Sequence, residues 1–189
     1  MLGGALKPGD QIRPSSPFAA VSVCVRVCCQ DRGFAVVDRE YAGMEIQGRV
    51  VVVTGAGRGI GAAMCRQFAS AGAERVVVSD RDLESAQCVA AELGAVGLAV
   101  ACDVAVESEV QQLVASTLES CGRIDIFCSN AGITVKGGVE TTNSDWQRMW
   151  DVNVMSRIYA ARAVIPSMLQ QKSGYFVQTA SAAGLLTEI

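Results

Sequence analysis

The sequence contains no histidine. The one side chain that ordinarily titrates near neutral pH is therefore missing, and so is the commonest ligand for zinc. No Cys-x-x-Cys pair occurs either, which removes the usual dithiol and zinc-knuckle spacings. Proline is scarce, with four residues, three of them at Pro8, Pro14 and Pro17. Aromatic residues make up only 5% of the chain. No apolar run reaches the roughly 18 residues that a bilayer-spanning helix requires. There is no basic surplus: the formal net charge is −3 and the pI about 5.0. Nucleic acid and anionic membrane are not expected as partners.

What is present is apolar and glycine-rich. Half of the 189 residues are hydrophobic and 19 are glycine, a composition that suits one soluble α/β domain with a sizeable core. Eight cysteines occur, but Cys65, Cys88, Cys102, Cys121 and Cys128 stand singly inside helix-like or strand-like segments. They are expected to be small buried hydrophobes in a reducing, cytoplasmic setting. The cluster Cys24, Cys28, Cys29 lacks histidine or carboxylate support, and no metal is expected there or elsewhere.

The chain divides near residue 44. Residues 1–43 lack a sustained helical period and are expected to be a poorly structured extension that adds nothing to the domain's stability. The stretch FAAVSVCVRVCC has the composition of a β-strand but no evident partner. A secretory leader is broken by Arg26 and lacks a clear cleavage site. A transit peptide is opposed by Asp10 and weak amphipathicity. Met44 is a second possible start, because MEIQGRVVVVTG runs straight into a strand.

From Arg49 onward, strands and helices alternate. RVVVVTG, RVVVSD, GLAVACDV, IDIFCSNAG and YFVQTAS read as five buried strands. GIGAAMCRQFASAG, LESAQCVAAELG and ESEVQQLVASTLESCG read as the intervening helices. A long helical stretch covers 143–171, with Pro166 its expected kink. This alternation predicts a Rossmann-type, doubly wound parallel sheet in a three-layer α/β/α sandwich, incomplete at about five strands. Ligands of such sheets lie at the carboxyl ends of the strands.

TGAGRGIG, Thr54 to Gly61, joins the first strand to the first helix. Phosphates need bare backbone N–H groups and a helix N-terminus, and glycine permits the close approach. Gly55, Gly59 and Gly61 fit those roles, with Arg58 and Ile60 in the same loop. Asp80 ends the second strand, where a carboxylate accepts the adenosine ribose hydroxyls and repels a 2′-phosphate. Arg58 and Arg81 could each reach a 2′-phosphate, but Asp80 favours NAD over NADP.

Together with CDV at 102–104, NAG at 130–132, Asn153 within WDVNVMS, and TASAAG at 179–184, this loop resembles the short-chain dehydrogenase/reductase family. The five motifs occur in that family's order and spacing from Met44 onward. The resemblance implies an oxidoreductase that moves a hydride between a nicotinamide and a secondary alcohol or ketone, usually as a homo-oligomer. It implies that Thr54 supports the glycine loop and that Asp103, with Val104, sits near the adenine. It implies that Asn130 stabilises the central strand, with Ala131 and Gly132 beside the cofactor. Asn153 is expected to help hold a relay water and Ser181 to orient the substrate oxygen. Ser129 departs slightly from the pattern, where a second asparagine is commoner.

The large departure is at the end. The family's general acid/base is a tyrosine followed four residues later by a lysine, roughly a dozen residues past the serine. Only eight residues follow Ser181, and none is Tyr or Lys. Tyr159, Tyr175 and Lys172 stand in the wrong elements to substitute. The polypeptide as written is therefore expected to be inactive. Its fifth strand is expected to have an open edge, and Ile158, Ile165 and Leu169 are expected to be exposed, favouring aggregation.

Overall fold

A computed structural model describes residues 45–181 and the backbone of residues 20–26. In chain order the elements are β1 (Ala20–Arg26), β2 (Val50–Thr54), α1 (Gly59–Ser70), β3 (Arg75–Asp80), α2 (Leu83–Glu92), β4 (Gly97–Ala101), α3 (Glu107–Cys121), β5 (Ile126–Ser129), α4 (Asn143–Trp150), α5 (Ser156–Gln170) and β6 (Tyr175–Ser181). A five-residue π turn, Asp151–Met155, joins α4 to α5.

Strands β2 to β6 are mutually parallel, and the whole sheet runs β1-β6-β5-β2-β3-β4. The order reverses at β2, whose neighbours are β3 and β5. That reversal leaves a crevice at the strands' carboxyl ends, where the first and fourth βα loops diverge. The five strands read from the sequence are all present.

Valine dominates the centre because both faces of the sheet are buried. In β2, Val51 and Val53 pack against α1 and α2 beside Ala62, Cys65, Ala86 and Val89. Val52 points the other way, toward Leu113 of α3 and Val164 and Met168 of α5. The period-2 alternation of a strand thus feeds two separate cores. Phe127 of β5 and Phe176 of β6 stack across adjacent strands with ring centroids 5.8 Å apart. Beneath the sheet, buried Asp125 accepts from the Val50 N–H at 2.9 Å and pairs with Arg49 and Arg123. This carboxylate fastens the entries of β2 and β5.

Several expectations need correction. The strand-like stretch FAAVSVCVRVCC has a partner after all: β1 pairs antiparallel with β6 over seven residues, from Ala20↔Ser181 to Arg26↔Tyr175. The edge of β6 is therefore covered, because the partner that local sequence could not reveal comes from about 150 residues away. Within residues 1–43, expected to be poorly structured, 20–26 form this strand, and the rest lie outside the described part. The helical stretch is continuous: it widens to π geometry over Asp151–Met155, and Pro166 lies inside α5. Within the π segment, Asn153 exchanges two side-chain hydrogen bonds with the main chain of Ile133. Finally, Ile158 and Leu169 are exposed, but Ile165 packs against the core. The cysteines also divide: Cys65, Cys102 and Cys128 are buried, Cys121 is half-buried and Cys88 is exposed.

Candidate cofactor site

A cavity of about 450 Å³ opens at the carboxyl ends of the strands. One side carries Gly55, Arg58, Ile60 and Gly61 from the loop into α1. The next carries Asp80 and Arg81 after β3, then Cys102, Asp103 and Val104 after β4. The far wall is Asn130, Ala131, Gly132 and Ile133 after β5, closed by Arg148, Val152 and Thr179.

Each loop residue holds its place for a physical reason. Gly55 has φ +63°, and a Cβ there would stand 2.8 Å from Ala131 Cα. Only glycine allows that conformation and that approach together. At Gly61 a Cβ would lie 2.2 Å from Gly55 O and 2.7 Å from Asn130 Nδ2. The α1 terminus is thus pressed onto the loop before it. On the outer side, nothing lies within 4 Å of where a Cβ on Gly59 would stand.

The helix ends differ in a telling way. Asp82 caps α2 by accepting from Ser85 N, and Thr142 caps α4 by accepting from Asp145 N. Glu107 and Glu109 supply negative charge to the first turn of α3. By contrast, α1 has no side-chain cap and no acidic residue in its first turn. Its free N–H groups and positive dipole end face the cavity, the arrangement that receives a phosphate.

Asp80 is fixed by two backbone donors: Gly57 N to Oδ2 at 2.9 Å and Asp82 N to Oδ1 at 3.1 Å. A carboxylate offers about four acceptor sites, so capacity for two further hydroxyls remains. Asp103 accepts from Ala105 N at 3.0 Å, and Glu109 accepts from Asp103 N at 2.7 Å, which sets the turn that presents Val104. Burial first, then the nearby carboxylates of Glu109 and Asp103, push the Cys102 thiol up to about 12. It lines the cavity as a neutral, unreactive group.

Behind the cavity lies a polar frame. Buried Thr54 accepts through Oγ1 from Asn130 N at 3.0 Å and Ala131 N at 3.2 Å. Asn130 Nδ2 donates to Thr54 O at 2.9 Å, and its Oδ1 accepts from Thr179 Oγ1 at 3.0 Å. Asn153 Oδ1 accepts from Ile133 N, and its Nδ2 donates to Ile133 O, both at 2.9 Å.

Of the sequence-derived site residues, ten therefore line the cavity: Gly55, Arg58, Ile60, Gly61, Asp80, Asp103, Val104, Asn130, Ala131 and Gly132. Thr54 and Asn153 stand behind its wall, and Gly59 is not among its lining residues. Ser181 is not in the cavity lining; it is exposed at the end of β6. Arg148, Val152, Ile133 and Thr179 were missed. Thr179, two residues before Ser181 on the same strand face, could have been found by alternation; Arg148 gives no comparable signal.

The residues fit a dinucleotide. The uncapped α1 terminus would take its phosphates, Asp80 a ribose, and the Asp103–Val104 turn and the 130–133 segment its rings. Among the described residues no helix is long and apolar enough to cross a membrane, and no cluster of His, Cys, Asp or Glu could hold a metal.

Comparison with known proteins agrees with this geometry. The family model for short chain dehydrogenase matches residues 49–189. Meso-2,3-butanediol dehydrogenase of Serratia marcescens is 38% identical over 144 residues, which cover 75% of this chain and 57% of that protein. A short-chain dehydrogenase/reductase from Burkholderia phymatum, solved in complex with NAD, superposes with a TM-score of 0.74 at 35% identity, covering 77% of this chain and 53% of that one. The 3-ketoacyl-(acyl-carrier-protein) reductase from Brucella melitensis, solved with NADH, gives a TM-score of 0.64 at 36% identity, covering 67% and 52%. The chain thus spans little more than half the length of these relatives. The family model covers residues 49–189, and the chain belongs to the short-chain dehydrogenase family.

Proposed function

We propose that residues 45–181 form the nucleotide-binding half of an NAD-dependent oxidoreductase whose substrate is a secondary alcohol or ketone. The observation that carries this reading is the uncapped N-terminus of α1 opening onto a cavity rimmed by Asp80. When bound, a nicotinamide dinucleotide supplies hydride chemistry. The chain's own residues bind and orient it: α1 holds phosphate, Asp80 accepts from ribose hydroxyls, and Asn130 to Ile133 wall the ring site. The carboxylate of Asp80 favours NAD over NADP. Ser181 and Asn153 would serve the substrate side, Ser181 as an orienting hydroxyl.

Turnover needs a group that exchanges the substrate's proton. The 189 residues hold no histidine, and no Tyr-x-x-x-Lys follows Ser181. We therefore expect a polypeptide of these residues to bind NAD(H) without measurable dehydrogenase activity, since losing a general acid/base costs about 10²–10⁴-fold. The Rossmann-type unit would run from about Met44, with β1 added at its β6 edge, and would work in the cytoplasm, where the buried thiols stay reduced. Self-association is the expected partnership, supported by the exposed Trp146, Trp150, Ile158 and Leu169 along α4 and α5.

The test is NAD-linked turnover by residues 1–189 on a panel of secondary alcohols, together with cofactor titration. Binding without turnover supports the proposal. Saturable NAD reduction that disappears in Ser181→Ala overturns the claim of inactivity and means that another residue acts as base.

A further inference from the structure

Arg157 is not part of any motif, yet it completes a closed ring of hydrogen bonds. It lies in the first turn of α5 and is half-buried, reaching toward β6. Its Nη1 donates to the main-chain carbonyl of Asn153, in the π turn, and its Nη2 to Thr179 O at 3.0 Å. Thr179 Oγ1 then donates to Asn130 Oδ1 at 3.0 Å. On the other arm, the Asn153 amide holds both the N–H and the C=O of Ile133 at 2.9 Å. The segment Asn130–Ala131–Gly132–Ile133 closes the circuit covalently, and all four of its residues line the cavity.

Burial sets this arginine apart. Among the described residues its guanidinium, like those of Arg58, Arg75, Arg81 and Arg148, has no carboxylate within ion-pair distance. Desolvation lowers its pKa from the ordinary value. A cation half-removed from water and facing only carbonyls is an expensive arrangement, and the planar fork suits two acceptors on different elements.

We infer that Arg157 is a positioning residue, which braces the 130–133 wall of the cavity against β6 by holding the Asn153 and Thr179 carbonyls together. The inference rests on the proposed cofactor reading for its functional meaning, but the brace itself can be measured without cofactor.

The experiment compares wild-type, Arg157→Met and Arg157→Lys chains by residue-resolved amide exchange and NADH titration. Removing the brace is expected to raise exchange at the Ile133 amide at least tenfold relative to Val52 in the central strand, and to weaken NADH binding several-fold. Lysine, which can still donate to one carbonyl, should restore a substantial part of both. Should Arg157→Met not fold, Arg157→Gln, whose shorter amide cannot reach both the Asn153 and the Thr179 carbonyls, should still loosen Ile133 relative to Val52. Exchange at Ile133 that moves only in step with Val52, or a lysine variant no better than methionine, would overturn the inference. A wild-type chain that does not bind NADH would defeat the cofactor reading instead, while the exchange comparison would still decide the brace.

Discussion

Asp80→Asn isolates the charge that is proposed to choose the cofactor. The substitution preserves shape and one oxygen acceptor, but that oxygen can serve only one of Gly57 N and Asp82 N, which Asp80 now holds with separate oxygens at 2.9 and 3.1 Å. Losing one bond to a charged acceptor costs about 1.5–3 kcal/mol in general. Half-exposure at the cavity rim puts the stability loss at the lower end, about 1–2 kcal/mol. For the cofactor, a carboxylate about 5 Å from a phosphate charge at an effective dielectric near 20 is repelled by about 3 kcal/mol per unit charge. Solvent screening at the rim reduces this to about 1.5–3 kcal/mol, or roughly 10- to 100-fold in relative affinity. Calorimetric titration of both chains with NADH and NADPH reads the ratio directly. The wild type should prefer NADH, and Asp80→Asn should narrow the preference by that factor. An unchanged ratio, or a wild-type preference for NADPH, would refute the reasoning and transfer the choice to Arg58 and Arg81.

Other outcomes follow from packing and burial. Phe127→Ala removes a fully buried ring stacked on Phe176 and should cost about 3–5 kcal/mol in urea unfolding; a loss under about 1 kcal/mol would mean that the two cores readjust freely. Burial holds the Cys65 and Cys102 thiols at about 12, well above the ordinary 9.0. Their contribution to stability is complete below pH 9 and is lost as pH rises from 9 toward 12, because the unfolded chain ionises first. At pH 8 in the native state, alkylation mapped by mass spectrometry should label Cys88 while sparing Cys65 and Cys102; equal labelling would contradict the burial. Starting the chain at Met44 removes β1 and uncovers the β6 edge, so light scattering should detect concentration-dependent association. A monodisperse monomer as stable as the full chain would show that β1 contributes nothing.

The parallel sheet was legible because β2 and β3 are continuous valine runs and β4, β5 and β6 each carry a short apolar run, a pattern demanded by burial on both faces. The glycine loop was legible because Gly55 and Gly61 are required by close backbone approaches that no other residue tolerates. What could not be read depends on distance along the chain or on side-chain reach. β1 meets a strand about 150 residues away, and nothing within its own seven residues names that partner. Pro166 reads as a kink because proline lacks a donor, but the π segment around Asn153, whose side chain captures Ile133, has no signal in the local sequence. Arg157 and Arg148 belong to no periodic pattern, so only the fold shows what they face. Ser181, recognised from TAS, is on the expected strand but outside the cavity wall.

The most direct test of the account is calorimetric titration of NADH into the 189-residue polypeptide, after its cooperative melting has been checked in the same buffer. The account predicts a saturable single-site isotherm and a rise in Tm that grows with NADH concentration, since a ligand at 100 times its Kd stabilises the folded state by about 2.7 kcal/mol. A cooperatively folded chain that gives neither heat of binding nor a shift in Tm would contradict it.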